Sequence, residues 1–183
     1  MRNRLYLLTT SFITSFALLC FGIVSAPSST ALECKKVKPT GKTIGEIKVG
    51  SVELPIKAFN YPEGGVMEPQ GSTLAAGLSK RHMPLSSNLG TSVITWHVNY
   101  NGCWNELNIL MSQKPGFKFK VTDENGVTRT YKIDKKITVK KGNYQDSWFT
   151  LISPRKLTLV TCTGSFKNGH YTENMVFLAS PVS

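Results

Sequence analysis

From Ile44 to the C-terminus the chain is divided into short runs of β-branched and aromatic residues, closed by Gly, Pro or Asn, with almost no helical period. The runs are 44–49, 52–59, 91–98, 117–122, 128–139, 157–162 and 174–179. Asp123-Glu124-Asn125-Gly126 lies between two alternating runs and predicts a hairpin, because Asn-Gly readily takes the positive φ that a tight turn needs. Residues 105–112 predict one short helix. Residues 61–88, with Gly, Pro and Ser throughout, predict mainly loop with room for one strand. Short strands in this number, with so few helices, predict an all-β fold: a closed or nearly closed barrel, with a sandwich as the second arrangement.

Composition narrows the class. With 40% hydrophobic and 18% charged residues, the 183-residue chain can bury a core, and its length suits one ordinary domain. Residues 1–31 read as an export segment. Arg2 and Arg4 precede the uncharged stretch 5–26, which is longer than the ~7–15 residues of a signal-peptide core and within the ~17–25 that span a bilayer. Ser29-Thr30-Ala31 offers small residues for cleavage, whereas Pro27 disfavours a cut after Ala26, and Leu19 argues against a lipoprotein site at Cys20. The segment is thus a signal peptide or a retained membrane anchor. Residues 32–43 would be a short linker and 44–183 the folded domain, placed outside the cytoplasm by the positive N-terminus.

The net charge is +11, of which Arg2 and Arg4 carry two, leaving +9 on residues 32–183. Lipid headgroups and acidic wall polymers are the anionic partners such a surface would meet outside a cell, and a solvated lysine-rich face is the simplest reading. No nucleic acid is expected, because the lysines are scattered along strands without an RNA-binding aromatic motif or a DNA-reading helix. No metal or other cofactor is expected either, since no two His or Cys lie at ligand spacing.

Cys34, Cys103 and Cys162 leave an odd number of thiols in the exported part. Cys34 and Cys103 sit in polar, loop-like surroundings and are the pair expected to form a disulfide, with Cys162 left as a thiol. Cys162 ends the run Leu157-Thr158-Leu159-Val160-Thr161-Cys162, and His97 ends Ser92-Val93-Ile94-Thr95-Trp96-His97. A Cys and a His at the ends of two strands, distant in sequence, suit a thiol nucleophile and its base if the strands are neighbours. Against this stands the common case of a Cys that is inert core packing.

Leu157-Thr158-Leu159-Val160-Thr161-Cys162 resembles the Thr-Leu-x-Thr-Cys signature of sortases, exported cysteine transpeptidases that join surface proteins to the cell envelope or to one another. The likeness spans about residues 44 to 180. Val52-Glu53-Leu54-Pro55-Ile56 resembles the family's early strand, and Ser92 to Val98 the strand that delivers its His. Thr163-Gly164-Ser165-Phe166, Gly169-His170-Tyr171 and Asn174 are most similar to the class F branch. The resemblance implies an eight-stranded closed barrel with one or two short helices. It also implies catalytic roles for Cys162 and His97, and a third catalytic position at Asn174, where the family usually carries Arg. Trp96 stands where sortases usually have Gly, and is expected to narrow the cleft or remodel the approach to His97; Thr161 is a candidate to orient the nucleophile or substrate. Arg155, before the Cys strand, is a minor substitute for the missing Arg. His170 is expected in a loop, and His82 has no motif around it.

The implied reaction cleaves a sorting signal of the Leu-Pro-x-Thr-Gly type through a thioacyl-enzyme, then passes the acyl group to an amine of peptidoglycan or a pilin lysine. An unperturbed thiol, with a pKa of ~8.5, is mostly protonated at neutral pH, so His97 is needed beside it. Asn174 can donate a hydrogen bond but no charge, which predicts a slow enzyme. The competing reading is a catalytically impaired barrel that binds envelope polymers or peptides without turnover.

Overall fold

The structure, a computed structural model, describes residues 33–60, 69 and 71–182. The export segment expected at residues 1–31 lies outside the described residues. The described residues form ten strands: β1 Thr43–Val49, β2 Val52–Phe59, β3 Ala76–Ser79, β4 Thr91–Trp96, β5 Asn99–Tyr100, β6 Cys103–Trp104, β7 Lys118–Thr122, β8 Thr128–Lys140, β9 Lys156–Lys167 and β10 His170–Pro181. Eight of them close into one barrel in the order β1-β2-β3-β4-β9-β10-β8-β7, as expected. Two pairings, β2 with β3 and β4 with β9, are parallel, and the other barrel pairings are antiparallel. Closure leaves none of the eight strands with an unpaired edge.

Period-two alternation fills the interior. Ile47 and Val49 of β1, Ile94 and Trp96 of β4, Leu157 and Leu159 of β9, and Phe177 and Ala179 of β10 all point into one apolar cluster. A second cluster lies outside the barrel wall, where Val160 and Val176 pack under Trp148, Tyr144 and Phe149 of the β8–β9 connection. The expected helix is a 3₁₀ helix, Glu106–Ser112, whose first turn is capped by the Asn105 side-chain Oδ1 accepting from Leu107 N–H at 2.9 Å. Asp123-Glu124-Asn125-Gly126 joins β7 to β8, with Gly126 at φ 80°.

Two regions differ from the sequence reading. The run 91–98 stops as a barrel strand at Trp96; its last two residues, His97 and Val98, lie outside any strand and lead into the two-residue strands β5 and β6 around Asn101-Gly102, at φ 48° and 74°. The last two runs are longer than expected and meet in a protruding hairpin at Asn168-Gly169, φ 50° and 81°. His170 therefore opens β10, paired with Lys167, and is not a loop residue. Residues 33–42 have no regular secondary structure but are tied down: Cys34 is bonded to Cys103, Lys35 N–H donates to the Asn101 carbonyl at 3.0 Å, and Ser72 Oγ donates to the Val37 carbonyl at 2.6 Å.

Candidate functional site

The register of four adjacent strands brings the distant candidates to one cleft. Thr161 pairs with Met175, which packs against the barrel core, so the alternation turns Cys162 and its cross-strand neighbour Asn174 to the outer face. Asn174 is flanked on its other side by Val139 of β8. Opposite, β9 runs parallel to β4, with Trp96 level with Thr161 as the last pair. His97 follows directly after the end of β4, one residue past that last pair. His97, Cys162 and Asn174 all line one cleft of about 380 Å³ on the outer face of the barrel.

The segment around His97 is held on both sides. Trp96 turns inward, and its indole N–H donates to Asn108 Oδ1 at 3.0 Å; Asn108 Nδ2 in turn donates to the Val98 carbonyl at 2.7 Å. The imidazole Nε2 lies 3.0 Å from the Pro69 carbonyl, which can only accept, so the hydrogen is on Nε2 and Nδ1 is the basic nitrogen of the neutral ring. Tyr100 of β5 stacks on the ring at 5.3 Å between centroids. Cys103, two residues beyond the Asn101-Gly102 turn's start, carries the disulfide to Cys34, so the bridge anchors this wall of the cleft.

On the far side of Cys162, Asn174 is 5% exposed and its amide Nδ2 donates to the Tyr144 hydroxyl. Tyr144 packs edge-on against Phe149 at 5.7 Å. Phe166 and Tyr171 of the protruding hairpin meet edge to face at 5.1 Å and form the lip, Phe166 being 62% exposed. Burial pushes the Tyr171 phenol above its ordinary value, and the charge of Cys162 pushes it the same way, while a hydrogen bond with Asn99 opposes both. Lys141 and His170 also border the cleft.

Trp96 and Thr161 both border the cleft but are buried, at 1% and 2% exposed, so little of either side chain is open to a substrate. The Trp96 side chain packs in the core, and the Thr161 hydroxyl donates to the Trp96 carbonyl at 2.8 Å and ties β9 to β4 next to Cys162. Arg155 lies at the opposite end of β9, donating to the Ser86 and Ser87 carbonyls and to Asn88 Oδ1. It does not supply the missing cation. His82 Nδ1 is 2.8 Å from Ser79 Oγ, and burial together with Arg81 holds its pKa below the usual value. Tyr100 and Tyr144 escaped the sequence reading. Asn101-Gly102 is a hairpin signal that would have found the first, whereas nothing around Tyr144 marks it.

The sortase domain family model matches residues 49–182. Among solved structures, the chain is similar to the pilus-related sortase C of Group B Streptococcus, at 23% identity and a TM-score of 0.60, over 79% of this chain and 70% of that one. It is also similar to sortase C from Clostridium perfringens (17%, TM-score 0.57, covering 82% and 73%). Sortase A from Corynebacterium diphtheriae matches at 18% identity and a TM-score of 0.60, covering 79% and 62%. At these identities the likeness to solved structures is one of fold. A search of the curated proteins finds no match.

Proposed function

The chain belongs to the sortase family of cysteine transpeptidases, and from that premise we propose that it cleaves a sorting-signal peptide of the Leu-Pro-x-Thr-Gly type through a thioacyl-enzyme on Cys162 and transfers the acyl group to an amine. The observation that carries the reading is that His97, just past the end of β4, and the cross-strand neighbours Cys162 of β9 and Asn174 of β10 line a single cleft. Cys162, as thiolate, adds to the scissile carbonyl. His97 protonates the departing amine and later takes the proton of the incoming one. Asn174 belongs to the side of the site where the oxyanion forms. The aromatic walls, Tyr100 and Tyr144 across the cleft and Phe166 with Tyr171 at the lip, suit an extended peptide with an apolar residue and a proline.

The acceptor is an amine of the cell envelope or a pilin lysine, a reading the pilus-related relative supports. The domain works outside the cytoplasm, tethered or released by residues 1–31. The test is intact-mass measurement of the purified chain with Leu-Pro-x-Thr-Gly peptides, x varied, and an amine nucleophile, beside Cys162→Ala and His97→Ala. A thioacyl adduct on Cys162, with amine-dependent exchange lost in both variants, is the expected result. No adduct with any peptide, while Cys162 still reacts with small alkylating agents, would instead identify a binding barrel without turnover.

A further inference from the structure

Asn174 stands where the family's cation is expected, and its surroundings say how a neutral side chain can serve there. Directly opposed residues of an antiparallel pair have Cβ atoms about 4.5–5.5 Å apart, so Asn174 and Cys162 are immediate neighbours. Yet Asn174 is almost wholly buried and donates an amide hydrogen to the Tyr144 oxygen. A phenol has one hydrogen and two lone pairs, and in this bond only a lone pair is used. Tyr144 itself is half-buried, and it lines the cleft with Cys162. Tyr144 thus lies on the Asn174 side of the nucleophile, with His97 on the other side.

We propose that Tyr144 is the oxyanion donor of this site and that Asn174 is the positioning residue that holds its oxygen there. This deepens the thioacyl-transfer reading and rests on it. When the Cys162 thiolate adds to the scissile carbonyl, the C–S bond forms and the C=O π pair moves onto oxygen. The Tyr144 O–H donates a hydrogen bond to that oxygen and keeps its proton. On collapse the π bond re-forms, the C–N bond breaks, and His97 protonates the leaving amine. A phenol, with an ordinary pKa near 10, is a far more acidic donor than a carboxamide, so its hydrogen bond strengthens more as negative charge develops. The hydrogen bond received from Asn174 withdraws charge from the phenol oxygen and polarises the O–H further.

The test follows acylation of Cys162 in the full chain by intact mass, with the same Leu-Pro-x-Thr-Gly peptides, in wild type, Tyr144→Phe, Asn174→Ala and the double variant. Tyr144→Phe is expected to slow acylation by on the order of 10²–10³-fold, with alkylation of Cys162 by iodoacetamide unchanged. Asn174→Ala should slow it less, and the double variant should match Tyr144→Phe, because Asn174 acts through the phenol. A fluorinated tyrosine of lower pKa at position 144 should move the alkaline limb of the acylation profile to lower pH, which a merely structural phenol would not do. Cys162, His97, His170, Tyr171 and Lys141 line the same cleft and are common to both proteins, so only the difference belongs to position 144. Wild-type rates in Tyr144→Phe, or an unmoved alkaline limb, overturn this inference alone. Absence of any adduct on the wild-type chain overturns the thioacyl-transfer reading and this inference with it.

Discussion

Side chains one residue apart take opposite duties at this site, and Trp96 shows why. Alternation sends Trp96 into the core and His97 out into the cleft, so the bulk before the histidine acts on the chemistry only through the backbone. Its indole hydrogen bond to Asn108, and that of Asn108 to Val98, brace the residues flanking His97. Restoring the glycine that sortases usually carry is therefore expected to harm this chain. Trp96→Gly removes a fully buried aromatic and should lower stability by at least about 3–5 kcal/mol, with peptide exchange falling as His97 loses its brace; urea titration beside the exchange assay checks both. The Cys162 and His97 positions were legible because each ends a strand-like run beside a recognisable signature. The burial of Trp96 and Thr161 was not, since which face of a strand is covered depends on the partner packed against it. Tyr144 was equally hidden: it lies 30 residues from Asn174 and meets it only because the β8–β9 connection folds back over the outer face.

Among the elements, the short β5–β6 hairpin has the least of its own to hold it, yet it carries Tyr100 against the His97 ring. Its anchor is the disulfide from Cys103 to Cys34, which closes a loop with a sequence separation of 69. Chain-entropy arguments value such a closure at about 4 kcal/mol. Cys34→Ser with Cys103→Ser should lower the urea midpoint accordingly and reduce exchange further than stability alone explains, because the His97 wall loosens; the wild-type chain in reductant should behave likewise while keeping the Cys162 thiol. The β7–β8 turn is held differently. Burial alone would raise the pKa of Asp123, but hydrogen bonds from Arg129 and from the Val127 and Asn125 N–H groups hold it below the usual carboxylate value. A folded-state pKa lowered in this way gives stability that is present above the unfolded value of ~4 and is lost as pH falls through the folded one. Asp123→Asn is expected to cost about 1.5–3 kcal/mol at neutral pH and to flatten the acid limb of the stability curve, read from melting temperatures between neutral pH and strong acid. Both hairpins were signalled by Asn-Gly. Only the one between long alternating runs was read from the sequence, because two-residue strands offer no alternation to flank the turn.

Across the whole molecule, closure of the barrel depends on its last strand. β10 is not an edge: it pairs along most of its length with β9 on one side and β8 on the other, and it brings Val176, Phe177 and Ala179 into the two apolar clusters. The barrel was readable from the alternation of its strands, but their order was not, because β4 with β9 and β1 with β7 join segments that no local pattern links. The consequence is testable by truncation. A chain ending at Thr172 keeps the Cys–His pair and most of the core residues, but leaves β8 and β9 with two open edges and the interior unsealed. Burying each large apolar side chain is worth about 1.5–3 kcal/mol, and the ladder bonds on both sides of β10 are lost with it, against a total stability of about 5–15 kcal/mol for a domain. The truncated chain is expected to lack a cooperative urea transition and a near-ultraviolet dichroism signal, even though its sortase signature is intact. A cooperative transition there would place the stability of the barrel in β1–β9. The expected collapse would instead make the β9–β10–β8 sheet both the closing element of the fold and the platform for Cys162 and Asn174, so that the proposed nucleophile is assembled only when the barrel is.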